Sequence, residues 1–152
     1  MVVLDTDVLL LAFAFPNDRR HAINTTFLKH VRTADPAITV YNLMELLGQL
    51  SFNSSAAQLD AWPTWLLEAY HLTVIWPFDP HSVTPASFMT EIFDRPFARM
   101  KSNRMSFMDA LALNLAERTP GVTEFITWNA RHFKNKSTLT ALTPEEYLAQ
   151  AA

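Results

Sequence analysis

The chain has 152 residues, 49% of them hydrophobic, which suits one domain with a sizeable core. Its formal net charge of −3 excludes a globally basic nucleic-acid binder, so any such binding must come from a local patch. It has no cysteine, which rules out disulfides, thiolate zinc sites and cysteine nucleophiles, and its two glycines form no P-loop or G-x-G-x-x-G cradle for phosphate.

The first element is a short strand, Val2–Leu4, closed by Asp5 and leading into a helix over Val8–Phe15. This apolar start lacks a basic region and carries two Asp, so no signal peptide is expected. No apolar run reaches about 18 residues, so no membrane span is expected and the protein reads as cytoplasmic. Pro16-Asn17-Asp18 is a turn, with Asp18 placed to cap a helix from Arg19 to about Thr33, whose Ile23, Phe27, Leu28 and Val31 recur at helical spacing. Asp35-Pro36 ends it. Ala37–Val40 reads as a second strand, followed by a helix through Leu50, and Asn53-Ser54-Ser55 as a loop.

A helix starts near Ala56. Pro63 predicts a kink or restart there, with Trp62, Trp65, Leu66 and Tyr70 facing inward. Leu72–Trp76 is a third strand, closed by Pro77. Thr84 caps a helix through Asp94 with Pro85 at its first position, and Pro96 begins another. Ser106 caps a helix over Phe107–Arg118. Glu124–Thr127 and Thr138–Leu142 complete about five strands, and Thr143-Pro144-Glu145-Glu146 is a capping box that opens a last helix. Strands alternating with helices imply a single α/β domain spanning 1–152, with a mainly parallel central sheet and helices on both faces.

Three carboxylates sit inside apolar segments: Asp5, Glu45 in Tyr41-Asn42-Leu43-Met44-Glu45-Leu46-Leu47, and Asp109 in Phe107-Met108-Asp109-Ala110-Leu111. Such acids are costly to bury and need a metal, a partner or water. In open α/β sheets ligands bind at the carboxyl ends of strands. Asp5 ends the first strand, Glu45 lies a turn beyond the second, Asp109 opens a helix, and Asn129 follows the strand Glu124–Thr127. The four point to one pocket. A shared Mg²⁺ or Mn²⁺ would explain them, because hard cations prefer carboxylate oxygens and clustered acids otherwise repel one another. Such an ion also suits phosphodiester hydrolysis, which needs an activated water and charge stabilisation. The five histidines have no zinc-ligand spacing and read as structural or surface residues.

Seven of the twelve Lys and Arg fall in two groups beside these positions: Arg95, Arg99, Lys101 and Arg104, then Arg131, Lys134 and Lys136. Arg99, Lys101 and Arg104, aided by Arg131 and Lys134, are the expected contacts to nucleic-acid phosphates. The aromatic middle segment (Trp62, Trp65, Tyr70, Phe88, Phe93, Phe97) suggests interface anchors beside the core.

The segments Val3-Leu4-Asp5-Thr6-Asp7-Val8-Leu9, Glu45-Leu46-Leu47-Gly48, Asp109-Ala110-Leu111-Ala112-Leu113-Asn114-Leu115-Ala116 and Thr127-Trp128-Asn129-Ala130-Arg131-His132-Phe133 resemble, in order and spacing, the PIN-domain nucleases. Within them the resemblance is closest to VapC-type toxins, and the closing Leu142-Thr143-Pro144-Glu145-Glu146-Tyr147-Leu148 extends it to the end of the chain. The resemblance implies a Mg²⁺- or Mn²⁺-dependent endoribonuclease, the toxin of a type II toxin–antitoxin pair, with RNA as substrate, a cognate antitoxin as partner and a homodimeric state. Asp5, Glu45 and Asp109 would be the acidic metal-site residues, Asn129 the fourth, variable position, and Thr6 and Thr127 polar support. Two departures bear on the fourth ligand. Asp7 stands where the family often has Asn, and either adds a carboxylate or caps a helix. His132 stands where a second Asp is common.

Two other functions remain open at this point. Leu4-Asp5-Thr6-Asp7-Val8-Leu9 also resembles the DxDx(T/V) pattern of haloacid-dehalogenase phosphatases, in which Asp5 would be the nucleophile and Asp7 the acid/base. That family also needs a Lys and a late acidic pair. Here Lys101, Lys134 and Lys136 are present, but no late Asp pair follows. Alternatively, Asn129 and His132 would suit a PIN-like module with a weakened site that binds RNA or protein without cutting.

Overall fold

The computed structural model describes residues 1–150. Its elements run β1 (Val2–Leu4), α1 (Thr6–Ala14), α2 (His21–Val31), β2 (Pro36–Thr39), α3 (Val40–Leu50), α4 (Ala56–Tyr70), β3 (Thr73–Ile75), α5 (Pro85–Met89), α6 (Arg95–Asn103), α7 (Phe107–Arg118), β4 (Glu124–Ile126), α8 (Ala130–Phe133), β5 (Thr140–Leu142) and α9 (Pro144–Gln150). A 3₁₀ turn, Ser51–Asn53, follows α3, and a π-helical turn, Thr90–Asp94, joins α5 to α6. The strands form one sheet of order β3-β2-β1-β4-β5, and every pair is parallel. This is the expected five-stranded α/β architecture. Boundaries shift by one or two residues from the sequence reading, the scale on which helix and strand ends fray.

Strand side chains alternate between faces, and the core divides accordingly. Val2, Leu4, Ile38, Ile126 and Leu142 pack with Val8, Leu9, Phe27, Leu46 and Leu66 from α1 to α4. Val3, Ala37, Phe125 and Ala141 face the other way, onto Ala110, Leu113 and Ala116 of α7 and Phe133 of α8. Helices therefore cover both faces, as the near-continuous apolar strands of a parallel sheet require. None of the described helices is long and apolar enough to cross a membrane.

Three elements differ from the sequence reading. First, α4 runs through Pro63 without a break. A capping box between Ser55 and Gln58 secures its start, and buried Leu66 holds its middle against the core. Trp65 lies off that inward stripe and is 47% exposed, rather than inward. Second, Pro96 opens α6 as read, but no break separates that helix from the one before it. The proline sits in the first turn of α6, and the backbone reaches it through the π-turn, where the Arg95 N–H donates to Thr90 O five residues back. The wider turn accommodates a ring that would otherwise press on the preceding carbonyls. Third, Asp18 does not cap α2. Its carboxylate accepts from the Arg20 backbone N–H (2.8 Å) and pairs with the Arg20 guanidinium (2.7 Å), bracing the turn instead. The helical turn α8 carried no sequence signal.

The α5–α6 arm is fixed by one buried carboxylate. Glu91, 1% exposed within the π-turn, accepts from Tyr41 Oη at 2.8 Å and meets Arg118 Nη1 of α7 at 2.5 Å. The Arg118 contact lies outside hydrogen-bonding directions, so it is an ion pair rather than a directed bond. Burial, with Glu91 adding to it, raises the Tyr41 phenol well above its usual pKa and keeps it a donor.

Candidate active site

The carboxyl ends of β1, β2 and β4 open into one polar cavity of about 200 Å³. Asp5, Glu45, Asp109 and Asn129 all line it, together with Thr6 and Asp7. Leu10, Gln49 and Phe133 complete the wall. Four segments far apart in sequence thus bring their candidate residues to one space, as strand-end placement predicted.

Asp5 caps α1. Its Oδ1 accepts from the Thr6 N–H at 2.8 Å and from Asn42 Nδ2 at 2.9 Å, and its own N–H donates to Ile126 O at 2.9 Å. Asn42, buried in the first turn of α3, was missed by the sequence reading. Its Oδ1 accepts from Thr39 Oγ1 at 2.6 Å, so its amide is oriented with the nitrogen toward Asp5. The pattern Thr39-Val40-Tyr41-Asn42, an N-cap threonine with a carboxamide three residues on, was the available signal. Glu45 follows Asn42 by three positions, on the same helix face. Its Oε2 accepts from Thr6 Oγ1 at 2.6 Å.

Asp7 does not cap the helix. Its Oδ2 accepts from Thr127 Oγ1 at 3.0 Å and its Oδ1 from the Trp128 N–H at 3.2 Å, so it ties α1 to the end of β4. Thr127, fully buried, also accepts from the Asn129 N–H at 3.1 Å. Asn129 itself makes no side-chain cap bond on α8 and leaves its amide exposed in the cavity wall. Asp109 lies in the first turn of α7, whose cap Ser106 accepts from the Asp109 N–H. His132 Nε2 stands 3.7 Å from Asp109 Oδ2, behind the cavity wall rather than in it.

The acids are electrically uncomfortable. Burial holds the Asp5 carboxyl well above its ordinary pKa, and the charges of Asp7 and Asp109 push further in the same direction. The Thr127 hydroxyl and the Thr6 N–H offset only part of this. Asp7 is raised as well, by burial, against the pull of Trp128, Thr127, Asn129 and the more distant Arg20. An all-oxygen donor set with uncompensated like charge suits a hard dication. As the side chains stand, no group of three or more His, Asp or Glu among the described residues is arranged to hold a metal ion. Mg²⁺ commonly keeps several waters and takes only one or two protein carboxylates, so Asp5 with Asp109 or Glu45 would suffice.

No lysine is among the residues that line the cavity, whereas a haloacid-dehalogenase phosphatase calls for one. The basic group is also more dispersed than its sequence clustering suggests. Arg99 is 15% exposed, ion-paired with Glu117 and bonded to Lys136 O at 3.2 Å, so it is corrected from an open phosphate contact to a tie between α6 and α7. Lys101 and Arg104 are exposed, Lys101 resting over the Phe97 ring at 4.7 Å. Arg131 is exposed, and Lys134 pairs with Glu146 at 2.8 Å.

The fold is shared with a chain of VapBC2 from Rickettsia felis, crystallised bound to a DNA fragment from their promoter. The TM-score is 0.65, over 94% of this chain and 98% of that one, at 17% sequence identity. That likeness establishes the PIN-like α/β fold. No family model matches the sequence, and no curated protein matches it significantly.

Proposed function

We propose that the chain is a Mg²⁺- or Mn²⁺-dependent endoribonuclease, the toxin of a type II toxin–antitoxin pair. The observation that carries this reading is the convergence of Asp5, Glu45, Asp109 and Asn129 on one polar cavity at the carboxyl end of a parallel sheet. The likeness to a VapBC2 chain supports an antitoxin partner. When bound, the ion supplies charge stabilisation at the scissile phosphate and a water of lowered pKa. Asp5 and Asp109 would hold it. Asn42 and the Thr6 N–H keep Asp5 Oδ1 oriented. Glu45, with Oε2 engaged by Thr6, uses its other oxygen to take a proton from the attacking water. Asn129 brings a neutral amide that orients water or phosphate without adding charge. Lys101, Arg104 and Arg131 supply cations for the flanking RNA backbone.

The test is a cleavage assay on single-stranded RNA. EDTA should abolish cutting and Mg²⁺ or Mn²⁺ restore it. Lys101→Glu/Arg104→Glu should keep the metal requirement but bind RNA with a shallower salt dependence, by about one unit of slope for each phosphate no longer neutralised. Cutting that survives EDTA would end the metal reading, and an unchanged salt slope would move the RNA path elsewhere.

A second reading, a PIN-like RNA- or protein-binding module, is favoured by the neutral Asn129 and by the lack of a ready three-ligand arrangement among the described residues. RNA binding without cutting in any divalent ion would select it.

The chain also presents apolar surface suited to a second copy of itself. Phe93 and Phe97 stack at 5.4 Å with 54% and 45% exposure. A cleft of about 440 Å³ is lined by Trp76, Val83, Phe88 and Ile92, the residue before Phe93. Unpartnered aromatics of this kind are favoured interface anchors. We propose a homodimer through this face. Sedimentation should give twice the 17.3 kDa chain mass at micromolar concentration, and Phe93→Glu should return it to one.

A further inference from the structure

Beside the catalytic cavity lies a trough of about 410 Å³. The two share Leu10 and Gln49 as a common wall. Glu45, Gln49 and Asn53 follow one another at steps of four along α3 and its 3₁₀ extension, so they form a polar line down one face. Glu45 lies in the cavity, Gln49 in both spaces and Asn53 in the trough. Across from them stand Leu10 and Phe13 of α1 and Trp62 of α4, with the Phe13 and Trp62 rings edge-to-face at 4.8 Å. No lining residue of the trough is charged, and both carboxamides are exposed.

We propose that this trough is the subsite for one unstacked nucleobase of the RNA strand, next to the phosphate that is cut. The inference rests on the ribonuclease reading and adds what would give it sequence preference. A base is flat and apolar on its faces, with donors and acceptors on its edge. The Leu10–Phe13–Trp62 wall matches the faces, and two carboxamides, each with a donor and an acceptor, match the edge. A wall without charge suits a base and not a phosphate. Continuity with the cavity favours substrate over a protein segment: a strand with a phosphate at Asp5 and Asp109 brings a neighbouring nucleotide to Leu10 and Gln49.

The experiment digests a randomised single-stranded RNA pool and sequences the cut ends. Preference is then a ratio within one reaction and does not depend on the amount of active protein. Wild type should prefer a base at one flanking position, and Gln49→Ala or Asn53→Ala should each flatten that preference roughly fivefold or more. A second measurement needs no cutting. In Asp5→Asn protein, one abasic position in a bound oligonucleotide should weaken binding roughly tenfold, and adding Asn53→Ala should erase the difference. Cutting with an unchanged profile in both variants overturns the subsite and leaves the ribonuclease intact. No cutting, with base-dependent binding that Asn53→Ala erases, overturns the ribonuclease and keeps the subsite. Neither cutting nor base-dependent binding overturns both, and leaves the trough to a protein segment.

Discussion

Asp5→Asn is expected to lower RNA cleavage by roughly two orders of magnitude or more while raising thermal stability at pH 7. The substitution preserves shape. The asparagine oxygen can keep the bonds from the Thr6 N–H and Asn42 Nδ2 that Asp5 Oδ1 now accepts. The amide replaces a charge that burial and Asp7 disfavour. Relief of one poorly compensated buried charge is worth on the order of 1–3 kcal/mol, or several degrees of Tm in a chain of this size. The pH dependence has a definite sign. Asp5 has a raised folded-state pKa, so it binds its proton more tightly folded than unfolded. The stability this contributes is complete below the unfolded value of 3.8 and is lost as pH rises through the folded value. Above that folded value the wild type has lost it, while the asparagine variant has no proton to lose. The Tm advantage of the variant should therefore shrink as pH falls toward 3.8. Melting curves in EDTA across that range, with a cleavage assay at pH 7, check both halves. A destabilised variant, or a fully active one, would remove Asp5 from the role assigned to it.

Glu91→Ala should be the most destabilising single change at an acidic residue, at roughly 2–4 kcal/mol. It strips Arg118 of its 2.5 Å partner and leaves the Tyr41 hydroxyl without an acceptor. The loss falls at the lower end for a broken buried pair because the Arg118 side chain keeps 28% of its surface exposed. Glu91→Gln should cost less, since it retains an acceptor for Tyr41. Urea unfolding of the three proteins measures the series. A loss below about 0.5 kcal/mol in the alanine variant, the range of ordinary surface changes, would show that the arm is held by its apolar contacts alone.

The sheet and its acids were legible because their signals are local. A β-branched run ending in Asp5, a capping serine before Asp109 and strand-end placement of Asn129 each occupy a few residues. Residues chosen by tertiary partners were not legible. Arg99 reads as part of an open basic cluster until Glu117, on the neighbouring helix, takes it. Asn42 reads as an ordinary helix residue until Thr39 and Asp5 claim opposite ends of its amide. His132 shows no ligand spacing because the acid beside it, Asp109, is distant in sequence. Trp65 follows an apolar pattern along α4, yet its direction depends on Leu66 having taken the core. Pattern gives the elements, and partners decide which polar side chains are spent on structure.

The strand order has a consequence in time. β1 is made first and sits at the centre of the sheet, but its second neighbour, β4, begins only at Glu124. A ribosome that has not yet delivered that segment holds a chain whose Asp7 lacks Thr127 and Trp128 and whose cavity lacks Asn129. Until then the Val2-Val3-Leu4 edge is unpaired on one side, an apolar template of the sort chaperones shield. The proposed activity is thereby withheld from a nascent chain until β4 and the turn after it have been made.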